Sequence, residues 1–197
     1  SFDQIELITR NKNKVSNKFI HYKKLNDLGN NQKKKVKKDL KNITSKRNNF
    51  LKNVNFSKPS VMGILNLTPD SFSDGGKFNK KKKSLKHISD MINSGADIID
   101  VGGESTRPGS KTINPKKEWD RVKHVIRIFK KRYKNVSLSI DTRKSELMVE
   151  SIKHGANLIN DVSGFSFDKY SLKKIKKFNL PKVLHHMRGT PNTMQIN

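Results

Sequence analysis

The sequence has no cysteine, which excludes thiol nucleophiles, thiolate metal sites and a disulfide framework, and fits a reducing compartment. Long apolar runs are also missing. No stretch approaches the roughly 20 residues of a membrane span, and the N-terminus lacks the apolar centre of a signal peptide. The expectation is a soluble, cytoplasmic protein with no membrane partner. Acidic residues are scarce, 17 against 43 lysines and arginines, and aromatic residues make up only 7%. Apolar residues are 32% of the 197, enough for one core if they are well placed.

The formal charge of +26 invites a nucleic-acid reading, so its distribution matters. Residues 1–60 carry a net +12 and residues 61–197 a net +14, so the excess is spread through the chain. Most of it is lysine, in runs such as Lys33-Lys34-Lys35 and Lys80 to Lys83, with few arginines and little aromatic interleaving for base stacking. Such a surface supports salt-sensitive, sequence-independent attraction, and no specific nucleic-acid partner is expected.

Two regions differ in pattern. Residues 1–57 read as an N-terminal appendage. Ile5, Leu7, Val15, Phe19 and Ile20 flank a turn at Asn11-Lys12-Asn13, which predicts a hairpin, and Val36, Leu40 and Ile43 recur at helical spacing in a basic segment. From residue 58 a regular alternation follows. Short apolar runs at Val61 to Leu65, Asp97 to Val101, Val136 to Ile140, Asn157 to Asn160 and Lys182 to His185 predict buried strands. Between them lie four helical patterns, two of them closed by Gly95 and Gly155 and one entered through Asn114-Pro115. Five strands alternating with four helices imply a parallel α/β sheet, open or closed into a barrel.

Polar residues gather where these strands end. Asn66, the run Gly102 to Gly109, Asp141-Thr142-Arg143, Asn160-Asp161 and His185-His186 all follow strands, and in a parallel α/β protein those ends share the rim where ligands bind. Any single one could be a helix cap or turn residue; five in succession point to a site. An Asp beside an Asn on the neighbouring strand can meet the edge of a flat heterocycle. Thr106, Arg107 and their glycines suit a phosphate. The loop from Leu67 to Gly76 is crowded with Asn, Thr, Ser, Asp and Gly, as a polar ligand requires. Gly102-Gly103 lacks the third glycine of a dinucleotide fingerprint, and His185 and His186 point to opposite faces of a strand, which disfavours a two-histidine metal site.

At this length and specificity the sequence resembles dihydropteroate synthase, of the pterin-binding (β/α)8-barrel group. Gly63 through Gly76 is similar to its first signature and Gly95 through Gly109 to its second. Ser139 to Lys144, Ile159 to Gly164 and His186 to Gln195 continue the pattern in order. The resemblance implies a transferase of folate biosynthesis that condenses 6-hydroxymethyl-7,8-dihydropterin diphosphate with 4-aminobenzoate and releases diphosphate. It implies that Asp141 and Asn160 bind the pterin ring, Thr106 and Arg107 the diphosphate substrate, and Asn66 a Mg2+ ion. Loop residues Thr68, Asp70, Ser71 and Phe72 would fold over the site. No residue is expected to act as a proton shuttle; positioning and leaving-group stabilisation carry the reaction.

Two departures stand out. Leu184-His185-His186 replaces the family's Leu-Met-His, and the later strands, with a further pterin-binding Asp, a Ser-Arg-Lys motif and an Arg-x-His, do not occur in residues 58–197. The expectation is therefore a C-terminally incomplete TIM (β/α)8 barrel carrying about the first five strands. As an isolated polypeptide it is expected to be inactive or poorly folded, whereas the full-length enzyme would be a homodimer. A methyltetrahydrofolate-binding corrinoid methyltransferase is the alternative enzyme, but transfer of a methyl group involves no diphosphate and would not need the two long loops. A non-catalytic pterin-binding protein is the remaining alternative.

Overall fold

The computed structural model describes residues 2–45, 49–51, 53–68, 77–105 and 110–185, the side chains of 77–80 excepted. The chain divides into two compact units, residues 1–48 and 49–197. In the first, β1 (Gln4–Asn11) and β2 (Lys14–His21) pair antiparallel through a tight turn in which Lys12 takes a φ of 52°. A 3-10 turn at Tyr22–Asp27 leads to α1 (Asn30–Thr44), a lysine-rich helix whose one buried residue is Val36.

The second unit alternates strand and helix: β3 (Met62–Asn66), α2 (Lys77–Asn93), β4 (Ile98–Gly102), α3 (Pro115–Arg132), β5 (Ser137–Asp141), α4 (Ser145–Lys153), β6 (Leu158–Asp161), α5 (Ser171–Ile175) and β7 (Lys182–Leu184). Helix entry and exit follow local chemistry. Asn114 caps α3 by accepting the Lys117 amide at 2.8 Å, Pro115 occupies the first turn, and Lys130, Lys131 and Arg132 sit at the negative end of its dipole. Gly95 and Gly155 leave their helices with φ near +100°, a left-handed conformation that glycine adopts without a Cβ clash.

All five strands are parallel and lie in sequence order, β3-β4-β5-β6-β7. A doubly wound sheet reverses its order at a switch point; this one does not. With right-handed crossovers, unreversed order puts every helix on the same face, as in a (β/α)8 barrel. The core agrees: Leu65, Ile99, Val101, Leu138, Ile140 and Ile159 face the helices and pack with Ile88, Val122, Ile126, Phe129 and Met148. The fold is that of a partial TIM barrel, and the strands form no closed cylinder among the described residues.

The opposite, inner face takes the alternate residues. Part of it is apolar, where Ile98, Leu158, Met62 and Val183 pack with Leu51 and Val54. Residues 49–57, expected to go with the appendage, fall in the second unit, where Leu51 and Val54 are buried while Phe50 and Phe56 stay exposed.

Candidate active site

Strand pairing carries polar residues across the inner face in rows. The uppermost reads Asn66, Gly102, Asp141, Asn160 and Val183 on five adjacent strands, and the row beneath it reads Ile64, Asp100, Ser139 and Leu158 on four. Asn66 and Asp141 are the last residues of β3 and β5, one position further inside the sheet than the apolar runs predict, because the ladder continues through polar side chains that point into the lumen. Sequence reading identified Asn66, Asp141 and Asn160, and the sheet brings them together at one end. Thr68 lies two residues beyond β3, half-buried, after Leu67 has extended the ladder by bonding to the Gly102 carbonyl at 2.8 Å. Asp70, Ser71, Phe72, Thr106 and Arg107 fall outside the described residues, as does His186.

Gly102 separates Asn66 from Asp141. A Cβ there would stand 3.3 Å from Asp141 Oδ2 and 3.4 Å from Asn66 Oδ1, so the missing side chain leaves a cradle between the two polar groups. Gly102→Ala should fold, yet weaken the binding of a ring seated there by about tenfold, the cost of modest overpacking. Titration of the variant with a dihydropterin checks this, and parent-like affinity would remove the cradle from the site.

Asp100 is the residue that sequence reading missed. It sits 4% exposed on the inner face, and its Oδ2 accepts the side-chain amide of Asn160 at 2.9 Å. Its one sequence signal is a carboxylate in the middle of the apolar run Ile98-Ile99-Asp100-Val101, which alternation places away from the helices. Asn160 spends one of its two amide N–H groups on Asp100, which fixes the amide and leaves its carbonyl oxygen as an acceptor for a ligand. Asn160 Oδ1 and Asp100 Oδ1 are both buried with no hydrogen-bond partner among the described residues. Together with Asp141 they form an acceptor-rich set, which suits a heterocycle edge rich in N–H donors.

The electrostatics are those of an acidic cluster inside a basic protein. Burial raises the Asp141 carboxyl to about 7, and the nearby charges of Asp100, Glu118 and Asp161 push in the same direction, against a partial offset from Arg143. Burial likewise raises Asp100. Asp161 works differently: fully buried, it accepts the backbone amides of Ser163 (2.8 Å) and Phe165 (3.2 Å) and shapes the loop after β6. Asp168 accepts the Ser145 amide at 2.9 Å and so caps α4 from another element.

A second polar cluster lies beside the Asp141 strand. Glu104 accepts Arg143 at 2.7 Å and Lys144 at 2.8 Å, and Lys144 also reaches Glu118. All four side chains are 7% exposed or less. Burial alone would raise the Glu104 carboxyl, but hydrogen bonds from Lys144 and Arg143 overcome it and hold the group below its usual range. Among the described residues no group of three His, Asp or Glu side chains converges as a metal cage.

The family described as pterin binding enzyme matches this chain over residues 62–197, the stretch that supplies the sheet and both rows. The chain belongs to that family. Among its pterin-binding relatives is the dihydropteroate synthase of Clostridium beijerinckii, 51% identical over 128 residues that make up 65% of this chain and 47% of the relative. Among solved structures of the family, dihydropteroate synthase from Clostridium difficile in the presence of pteroic acid superposes with a TM-score of 0.64 at 43% identity, over 66% of this chain and 49% of that one. The Xanthomonas albilineans enzyme with 4-aminobenzoic acid gives a TM-score of 0.64 at 38% identity, over 68% and 49%. This family member spans about half the length of the relatives it matches. No helix of the described residues is long and apolar enough to cross a membrane.

Proposed function

We propose that the chain carries the pterin-binding side of a dihydropteroate synthase. The amine of 4-aminobenzoate would attack the exocyclic methylene of 6-hydroxymethyl-7,8-dihydropterin diphosphate; a C–N bond forms, the C–O bond to diphosphate breaks, and the amine loses a proton. The observation that carries this reading is the acceptor-rich set of Asp141, Asp100 and Asn160 around the Gly102 cradle. It complements the N–H edge of a pterin ring and would repel a nucleic-acid phosphate, so the basic outer surface is no argument for a nucleic-acid function.

In this reading Asp141 and Asn160 fix the ring, and their rigidity on adjacent strands orients the methylene toward the incoming amine. Thr106 and Arg107 would hold the diphosphate, and the first loop, with Thr68, Asp70, Ser71 and Phe72, would cover the aminobenzoate and exclude water from the electrophilic carbon. Asn66 offers one neutral oxygen at the strand end, which fits a divalent ion, Mg2+ in this reading, that takes most of its ligands from diphosphate and water. When bound, that ion would neutralise charge on the leaving group. A cytoplasmic homodimer is the setting this reading assumes.

The test is titration of the full-length gene product with a dihydropterin and, separately, diphosphate release when pterin diphosphate and 4-aminobenzoate are both supplied. Ring binding and amine-dependent release are expected. Absence of ring binding would end the proposal, and methyl transfer without diphosphate release would favour the corrinoid alternative.

A further inference from the structure

The buried charge cluster is anchored at a single carboxylate. Glu104 stands two residues beyond β4, and its Oε1 accepts the backbone amide of Ile113 at 2.9 Å, nine positions later on the far stem of the same loop. The same oxygen accepts Lys144, while Oε2 accepts Arg143 through both Nε (3.2 Å) and Nη2 (2.7 Å). One side chain therefore joins the two stems of the loop to each other and joins both to the residues that follow Asp141. Two further clasps reinforce the base: Ser110 donates to the Ser105 carbonyl at 2.6 Å, and Arg121 donates to the Gly103 carbonyl at 2.7 Å. Between Ser105 and Ser110 lie four residues, Thr106 and Arg107 among them.

A buried network of four charges is poorly explained as a device for stability, since well-packed apolar side chains of similar volume often serve as well or better. Its advantage is directional: each bond fixes a distance and an angle. We propose that Glu104 is a positioning residue, which holds the diphosphate-binding loop in register with the ring-binding strand that ends at Asp141. The inference rests on the synthase reading for its ligands, but the clamp itself is a property of the chain. Glu104 touches no substrate. It acts on the stems of that loop, at Glu104-Ser105 and Ser110 to Ile113.

The experiment compares the parent full-length gene product with Glu104→Gln, which keeps the acceptor for Ile113 but removes the charge, and with Ser110→Ala, which loosens a milder clasp and leaves the buried charges in place. Two ligands are titrated, 6-hydroxymethyl-7,8-dihydropterin and its diphosphate, and backbone amide exchange is followed at residues 104–113. The expected result for Glu104→Gln is at least about a tenfold loss of affinity for the diphosphate ligand, less than about a threefold change for the ring alone, and faster exchange confined to the loop. Ser110→Ala should shift in the same direction by a smaller factor, and it decides the matter should Glu104→Gln fail to fold. Equal losses for the two ligands, or unchanged exchange in the loop, would overturn the proposal and leave Glu104 a stabilising residue only. If the parent binds neither ligand, the synthase reading fails, and the exchange data still judge the clamp.

Discussion

Asp141→Asn in the full-length gene product is expected to lose pterin affinity by about 100-fold or more while making the ligand-free fold more stable at alkaline pH. The loss of affinity follows from geometry: an amide cannot present two acceptors, and its N–H would face ring N–H groups beside the acceptors of Asp100 and Asn160. The gain in stability follows from linkage. The Asp141 carboxyl sits at about 7 in the fold against an ordinary 3.8, so the fold holds a proton that the unfolded chain has released. Its favourable contribution is complete below about pH 4, is lost as the pH rises through 7, and stays lost above that. Asparagine never ionises and escapes this penalty, worth up to about 4 kcal/mol at pH 8. Denaturant midpoints of parent and variant should converge near pH 4 and separate by pH 8 in favour of the variant, and parallel curves would show that Asp141 is not electrostatically strained.

Lys144→Met should be the most damaging single change to the fold. The ammonium is shared by Glu104 and Glu118, and its removal leaves the buried Glu118 without a cation and Glu104 with Arg143 alone, at a cost of about 3–5 kcal/mol. The pH dependence has the opposite sense to that of Asp141. Hydrogen bonds to Glu104 outweigh its burial and depress its carboxyl below 4.5, so the stability it provides is present above that value and disappears as the pH falls through the depressed one. The variant's deficit should therefore be full at pH 7 and shrink toward pH 4. Equal deficits at both pH values would mean that lost packing of the lysine stem, rather than charge, explains the change.

How much of this was legible in the sequence depended on the kind of signal. Strand positions and three candidate site residues, Asn66, Asp141 and Asn160, could be read because apolar runs stop at polar residues in a repeating unit, and that boundary is local. Whether the sheet was open or barrel-like could not be read from periodicity alone; the unreversed strand order answers it. Asp100 escaped because a lone carboxylate inside an apolar run looks like part of a strand, and its role exists only when Asn160 arrives from β6, sixty positions away. The Glu104 cluster escaped for the same reason. Its four members come from the loop after β4, the first turn of α3 and the two residues that precede α4, and nothing in the local pattern of any one names the others.

The packing of Leu51 and Val54 under Ile98 and Leu158 bears on the order of synthesis. Both side chains leave the ribosome before any of the five parallel strands. Their cover is thus available when β4 and β6 emerge in turn, and Ile98 and Leu158 can be buried as they appear instead of standing open to neighbouring nascent chains. A chain started at Met62 would have to build the same sheet without that shield, with its greatest exposure to aggregation in the interval before β6 is released.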